Sequence, residues 1–111
     1  MTSVLSIATS GMAAAQKRLE VSARNVANAA ADLPADAPFE VAAAFAALRM
    51  DQREAPGGGT MAVVMQAPPG TPVDLANEAI QQMVARYTFA ANAKVAKAAG
   101  EMQKSLLDIK T

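Results

Sequence analysis

Two long segments, one at each end of the chain, repeat apolar residues with the spacing of an α-helix. The first runs from about Ser3 to Ala30, the second from Pro72 to about Ile109. The first stripe consists of Ala8, Met12, Ala15, Leu19, Ala23, Val26 and Ala30. The second consists of Ile80, Val84, Tyr87, Ala91, Val95, Ala98, Met102, Leu106 and Ile109. Both stripes advance by three or four residues and repeat after eleven, about 3.67 per turn, which is close to an unstrained helix. The pattern predicts two long terminal helices whose stripes pack along their lengths with little supercoiling.

The helix boundaries carry local signals. Thr71 is predicted to cap the second helix, with Pro72 at its first position and the charge of Asp74 favouring its N-terminus. The first helix is expected to end at the Asp-Leu-Pro and Asp-Ala-Pro steps of residues 32–38, because proline disfavours helical geometry in the residue before it. Inside this helix, Gly11 is either a tolerated small residue or the site of a close helix approach.

The centre of the chain predicts a β-hairpin. Residues 39–48 are Ala-rich and favour a short helix, residues 48–54 begin with apolar and polar alternation, and residues 60–66 suit a strand. The Pro-Gly-Gly-Gly turn between them lacks the Gly-Lys-Ser/Thr and following helix of a phosphate-binding loop, so we expect a flexible hairpin tip. The fold class is therefore mainly α, with two long terminal helices packed together and a small central β-hairpin.

This division makes the chain one structural unit with three parts. They are an N-terminal helix at 1–31, a Pro/Gly-rich centre at 32–70 with the hairpin at 48–66, and a C-terminal helix at 71–111. Because much of the apolar content of the 111 residues is Ala and Met, the core should be thin. We expect the isolated monomer to be marginally stable and to gain stability from neighbours.

Composition narrows the functional classes. Ten basic residues balance ten acidic ones, which gives no reason to propose nucleic acid or an anionic membrane as a partner. The chain has no His or Cys, which removes the usual zinc ligands and the commonest pairs of catalytic base and nucleophile. Ser6, Ser10 and Tyr87 remain, but the serines have no evident basic partner, and Tyr87 is more simply a core residue. We expect no catalytic activity, metal, cofactor or small-molecule substrate.

Membrane and targeting signals are also absent from the sequence pattern. No apolar run reaches the length of about eighteen residues that indicates a membrane-spanning helix. No basic stretch precedes an apolar run near residue 1, as it would in a secretory signal.

Both predicted helices carry motifs that resemble one family. Residues 10–28 read S-G-M-x-A-x-x-x-R-L-x-V-x-A-x-N-V-A-N. The second helix reads V-D-L-x-x-E from Val73 to Glu78, then A-R-Y-T-F-A-A-N from Ala85 to Asn92, and L-D-I-K near residue 110. These motifs are similar to those of the bacterial flagellar axial family, whose members form the rod and hook. Within the family, the short chain and the C-terminal motifs are most similar to the proximal rod proteins, and residues 31–70 resemble the family less.

The resemblance implies a structural role in bacterial motility. The chain would be a subunit of the flagellar basal-body rod that polymerises through its terminal helices, with head-to-tail contacts generating a helical assembly. Implied partners are copies of itself, other rod and basal-body proteins and the flagellar export apparatus. The implied location is the periplasmic rod of the basal body, reached by type III export without a cleaved signal peptide. The alternative is a non-polymerising helical adaptor or assembly chaperone, which would be a well-folded small oligomer by itself.

The residues expected to contact neighbouring subunits come from the stripes and from the motif asparagines. Asn is an indifferent helix former, yet its amide both donates and accepts hydrogen bonds. Asn25 and Asn28 share a helix face, which is either a solvated polar surface or an interface, and the resemblance favours the interface. The predicted subunit-interface residues are Met12, Leu19, Asn25, Val26, Asn28, Ile80, Val84, Tyr87, Asn92, Val95, Met102, Leu106 and Ile109.

Overall fold

The computed structural model describes residues 3–29, 36–68 and 71–110. Helix α1 covers Val4–Ala29, α2 covers Phe39–Ala44 and α3 covers Leu75–Lys110. Strands β1, Leu48–Glu54, and β2, Thr60–Gln66, pair as an antiparallel hairpin in which Leu48 faces Gln66. The predicted fold class, two long packed helices with a small central hairpin, is confirmed. The predicted stop of the first helix at residues 32–38 lies partly outside the described residues, at 32–35, as do residues 69–70 at the end of the Pro/Gly-rich centre.

Each long helix begins at a capping side chain. The Ser6 N–H donates to Ser3 Oγ at 3.1 Å, and the Asn77 N–H donates to Asp74 Oδ1 at 3.2 Å. Both bonds satisfy an N-terminal N–H that has no partner inside the helix. The prediction that Thr71 caps the second helix is therefore wrong by three residues. The Thr71 hydroxyl instead donates to the Pro68 carbonyl at 2.6 Å and closes the turn before the helix.

The two long helices run antiparallel and meet through small and polar side chains. Ser22 of α1 lies beside Glu78 of α3, and Gly11 lies beside Asn92, so the two chain directions oppose each other. On α1 the buried residues are Ala8, Gly11, Ala14, Ala15, Val21, Ser22 and Asn25. On α3 they are Glu78, Ala85 and Ala99. Small residues on the facing surfaces allow the two backbones to approach closely.

The prediction that the two apolar stripes pack against each other is wrong. Ala8 and Ala15 of the first stripe are buried, but Leu19 is 49% exposed. The large members of the second stripe are all exposed, and the buried face of α3 lies one position further along the chain, at Ala85 rather than Val84 and at Ala99 rather than Ala98. One residue turns a helix by about 100°, so the stripe lies beside the contact and not in it.

The hairpin lies along α1, and α1 contacts it at both ends. Asn25 binds Leu48 at the open end, and Ser10 binds Thr60 beside the turn. The helix between Ser10 and Asn25 rises about 22 Å, and a seven-residue strand spans about 23 Å, so the two lengths match. The hairpin is therefore held against α1 by hydrogen bonds at both of its ends.

The turn of the hairpin is not a free tip as predicted. Gly57, Gly58 and Gly59 all have positive φ, which side chains other than glycine adopt at a cost. A Cβ on Gly59 would lie 2.5 Å from Ser10 Oγ, so the turn passes directly over α1. The Thr60 N–H donates to the same hydroxyl at 3.1 Å, and that hydroxyl donates to the Ile7 carbonyl at 2.7 Å.

The molecule is elongated because α3 is longer than its partner helix. Its extents are 71 × 25 × 15 Å. Ala99 is the last buried residue of α3, and residues 101–109 are all exposed. We call residues 100–109 the overhang, since they extend past the Val4 end of α1. In the described part of the chain, no helix combines the length and the apolar character needed to cross a bilayer.

Candidate subunit interface

A buried polar cluster joins α1, β1 and α3. Asn25 is 1% exposed, and its Nδ2 donates to the Leu48 carbonyl at 2.8 Å and to Glu78 Oε1 at 2.9 Å. The Leu48 N–H donates to Asn25 Oδ1 at 2.8 Å. Beside them, the Ser22 hydroxyl donates to the Glu78 carbonyl at 3.1 Å. Every polar atom of the Asn25 side chain therefore has a partner inside the chain.

The side-chain amide of Asn25 makes the hydrogen bonds to Leu48 that a neighbouring strand would otherwise make. It offers Leu48 one donor and one acceptor, as a neighbouring peptide group would, and so satisfies the edge of β1 where the hairpin begins. The Glu78 carboxylate, 7% exposed, accepts the second hydrogen of the same amide. Within one copy of the chain the Asn25 side chain is therefore buried and bonded, and its contact with a neighbouring subunit stays a prediction.

The second motif contact joins Gly11 to Asn92. A Cβ built on Gly11 would lie 2.6 Å from both Nδ2 and Oδ1 of Asn92. The same Nδ2 donates to the Thr88 carbonyl at 2.9 Å, which holds the side chain in place. Of the two interpretations of Gly11, the close helix approach is the one that the structure supports. Asn92 is half-buried here and packs within the chain.

Asn28 and Arg18 complete the polar residues of the first motif. Asn28 Nδ2 is buried and has no hydrogen-bond partner among the described residues. Arg18 donates from Nη1 to Gln81 Oε1, which adds a side-chain bond between the two long helices one turn from Ser22. Asn28 therefore differs from Asn25, whose amide hydrogens both have acceptors within the described part of the chain.

The large apolar residues of the predicted interface remain on the surface. Tyr87, expected to be a core residue, is 69% exposed, and Ile109 is 80% exposed. Leu19, Val26, Ile80, Val84, Val95, Met102 and Leu106 are also exposed, and Met12 is half-buried. Within the described part of one copy, these side chains therefore leave apolar surface uncovered. They form the candidate subunit interface.

Two parts of this surface were not anticipated. One is an open groove between α1 and α3, which we call the α1–α3 groove; its apolar lining consists of Ala15, Leu19, Ala79, Met83, Ala85 and Phe89. The other is Leu107, which joins Leu106 and Ile109 in an apolar patch on the overhang. Met83, Phe89 and Leu107 do not belong to the eleven-residue stripe, so periodicity did not select them.

The two serines considered for catalysis both have hydrogen-bond partners within the chain. The Ser6 hydroxyl donates to the Ser3 carbonyl at 3.1 Å, and Ser10 connects Ile7 to the hairpin turn. Among residues 3–29, 36–68 and 71–110, no group of three acidic, His or Cys side chains is placed to hold a metal ion.

The chain matches no model of a known protein family, and no curated protein matches it.

Proposed function

We propose that this chain is a structural subunit of the bacterial flagellar basal-body rod, similar to the proximal rod protein of the C type. It polymerises through α1 and α3 after passing through the flagellar export apparatus, and it contributes to motility. Its partners in this proposal are copies of itself and the other rod and basal-body proteins. The proposal rests on the motif resemblance together with the surface that the fold leaves uncovered.

The observation that carries the proposal is the size of that surface. The chain exposes 7812 Å², whereas a compact monomer of 11.4 kDa exposes about 5,800 Å². An interface of standard size buries about 800 Å² on each partner, so the excess of about 2,000 Å² is large enough for two interfaces on one copy. Two such interfaces on each copy are what a head-to-tail polymer needs.

The contacts between the two motifs also support the proposal. Asn25 and Gly11 belong to the N-terminal motif, and they contact Glu78 and Asn92, which belong to the C-terminal motifs. Residues that are far apart in the chain, and that carry the resemblance, therefore meet in pairs. This is expected if the resemblance reflects a shared arrangement of two axial helices.

A helical adaptor or assembly chaperone is the second candidate. The observation in its favour is that Ser22 and Asn25 of α1 both donate to Glu78 of α3 within a single copy, so these buried groups do not need a neighbour. An adaptor would remain a small oligomer and bind its client through the exposed faces. A rod subunit would become part of an insoluble basal body.

Deletion and fractionation distinguish the two candidates. The gene is deleted in its source organism and replaced by a tagged copy, and basal bodies are purified and probed for the tag. A rod subunit predicts loss of motility on deletion and a tagged chain that stays in the washed basal bodies. A tagged chain that is recovered only in the soluble fraction, with motility lost on deletion, would favour the adaptor. Normal motility without the gene would contradict both.

A further inference from the structure

We propose that the overhang of one copy docks into the α1–α3 groove of a second copy. The proposal deepens the polymerising role proposed above, on which it rests, by naming the two surfaces that meet. It commits to one occupant of the groove, the segment 100–109 of another copy of the same chain.

The overhang is an amphipathic helix whose apolar side is exposed in one copy of the chain. Met102, Leu106, Leu107 and Ile109 are each more exposed than half, and with Gln103 they lie on one side of the helix. The charged residues Glu101, Lys104 and Asp108 lie on the opposite side by helical spacing. Docking through the apolar side therefore leaves the charges in water.

The groove offers a matching apolar surface of the right length. Leu19, Met83 and Phe89 line it and are partly exposed, although they lie next to a packed helix. On α3 it extends from Ala79 to Phe89, about 15 Å, which equals the length of the ten overhang residues at 1.5 Å each. Its polar lining consists of Gln16, Gln82 and Arg86, which carry no carboxylate and stand at the rim of a helix-in-groove contact.

The occupant must come from another copy. α3 is one continuous helix from Leu75 to Lys110, so its overhang points away from the groove that its own first half forms. One contact between copies covers the overhang of the first and the groove of the second. Repeated along a row, this contact uses two surfaces of each copy, and the exposed excess, about 2.5 times the area of one standard interface side, is large enough for both.

Disulfide cross-linking tests the proposal on the purified full chain. The chain has no cysteine, so every variant carries one thiol. Leu106→Cys is mixed with a size-tagged Met83→Cys variant under mild oxidation, and the mixed dimer is quantified over a range of concentrations. The matched control replaces Met83→Cys with Val84→Cys, an exposed neighbour turned by about 100° out of the groove.

The proposal predicts about tenfold more mixed dimer for Leu106 with Met83 than for Leu106 with Val84, because a disulfide needs Cβ atoms within about 4.5 Å. Leu107→Arg added to the Leu106→Cys copy should abolish the excess. Three results would each overturn the docking proposal. They are equal yields for Met83 and Val84, a higher yield for Val84, and no mixed dimer at any concentration. A preference for Val84 would leave the rod role intact, since it shows polymerisation through the other flank. If the chain were absent from basal bodies but still gave more mixed dimer with Met83, the rod role would be contradicted and the docking would stand.

Discussion

Gly11 of α1 lies directly beneath the side-chain amide of Asn92 of α3. A Cβ on Gly11 would lie 2.6 Å from Asn92 Nδ2, a distance that no pair of such atoms tolerates without movement. The two residues come from motifs at opposite ends of the chain, and at their level the helix backbones are close enough that residue 11 has no room for a Cβ. Adding one methyl group at residue 11 therefore tests whether the two helices pair in this way.

Gly11→Ala should lower the free energy of unfolding, and Gly100→Ala should raise it. Both changes gain about 1 kcal/mol of helix propensity, but only Gly11 faces a side chain, and overpacking costs about 1–3 kcal/mol. A Cβ on Gly100 meets nothing within 4 Å. Urea unfolding of the two variants is the measurement. Adding Asn92→Ala to Gly11→Ala should restore stability, and equal stabilisation by both glycine replacements would contradict the observed packing.

Asn25→Ala should lower the free energy of unfolding far more than Asn28→Ala does. Removing the Asn25 amide leaves the Leu48 N–H and carbonyl without partners, and each unsatisfied buried group costs about 1–3 kcal/mol. Asn28 Nδ2 already has no partner among the described residues, so its removal should be near neutral. The same urea experiment measures both. Similar losses for the two asparagines would show that the cluster around Asn25 contributes little.

Ser10→Ala should loosen the hairpin turn while Ser6→Ala should not. Ser10 Oγ accepts the Thr60 N–H, whereas the Ser6 hydroxyl donates to the Ser3 carbonyl on the exposed first turn of its own helix. Amide exchange at Thr60 should become faster in the Ser10 variant. Two glycines inserted beside Gly58 should have the same effect, because Gly59 would leave Ser10. Unchanged exchange at Thr60 in both cases would restore the interpretation of a free tip.

Leu19→Ala and Leu106→Ala should separate the stability of the monomer from that of the assembly. Both side chains are largely exposed in one copy, so the isolated variants should unfold almost as the parent does. If a neighbour buries them fully, each change should cost about 2–5 kcal/mol in the assembled form and should stop rod completion before it lowers expression. Normal assembly in both variants would show that these residues do not form the interface.

Much of the fold was predictable because it depends on local signals. The helical spacing from Ala8 to Val26, and from Ile80 to Ile109, predicted the two helices. The strand residues 48–54 and 60–66 followed from the turn glycines between them. These features need only the periodicity and the turn chemistry of neighbouring residues.

The contact face between the helices was not predictable in the same way. Periodicity selects large apolar residues such as Val84 and Tyr87, but the helices meet through Gly11, Ser22 and Ala85. Small residues such as Gly, Ser and Ala differ little from one another in hydrophobicity, so they form no clear stripe in the sequence. Whether they pack closely depends on the residues of the other helix that face them. The partners of Asn25 could not be predicted either, because Leu48 and Glu78 are distant from it in the chain and only the fold brings them together.

The most direct measurement is amide hydrogen exchange on the overhang in two states, the purified chain at low concentration and the washed basal body. Residues 100–109 are exposed to solvent in one copy of the chain, so their amides should exchange quickly in the dilute chain. If the chain is a rod subunit whose exposed apolar surface is covered by neighbours, the same amides should be strongly protected in the basal body. Equally fast exchange in both states, or a chain that cannot be found in basal bodies, would contradict the proposed role.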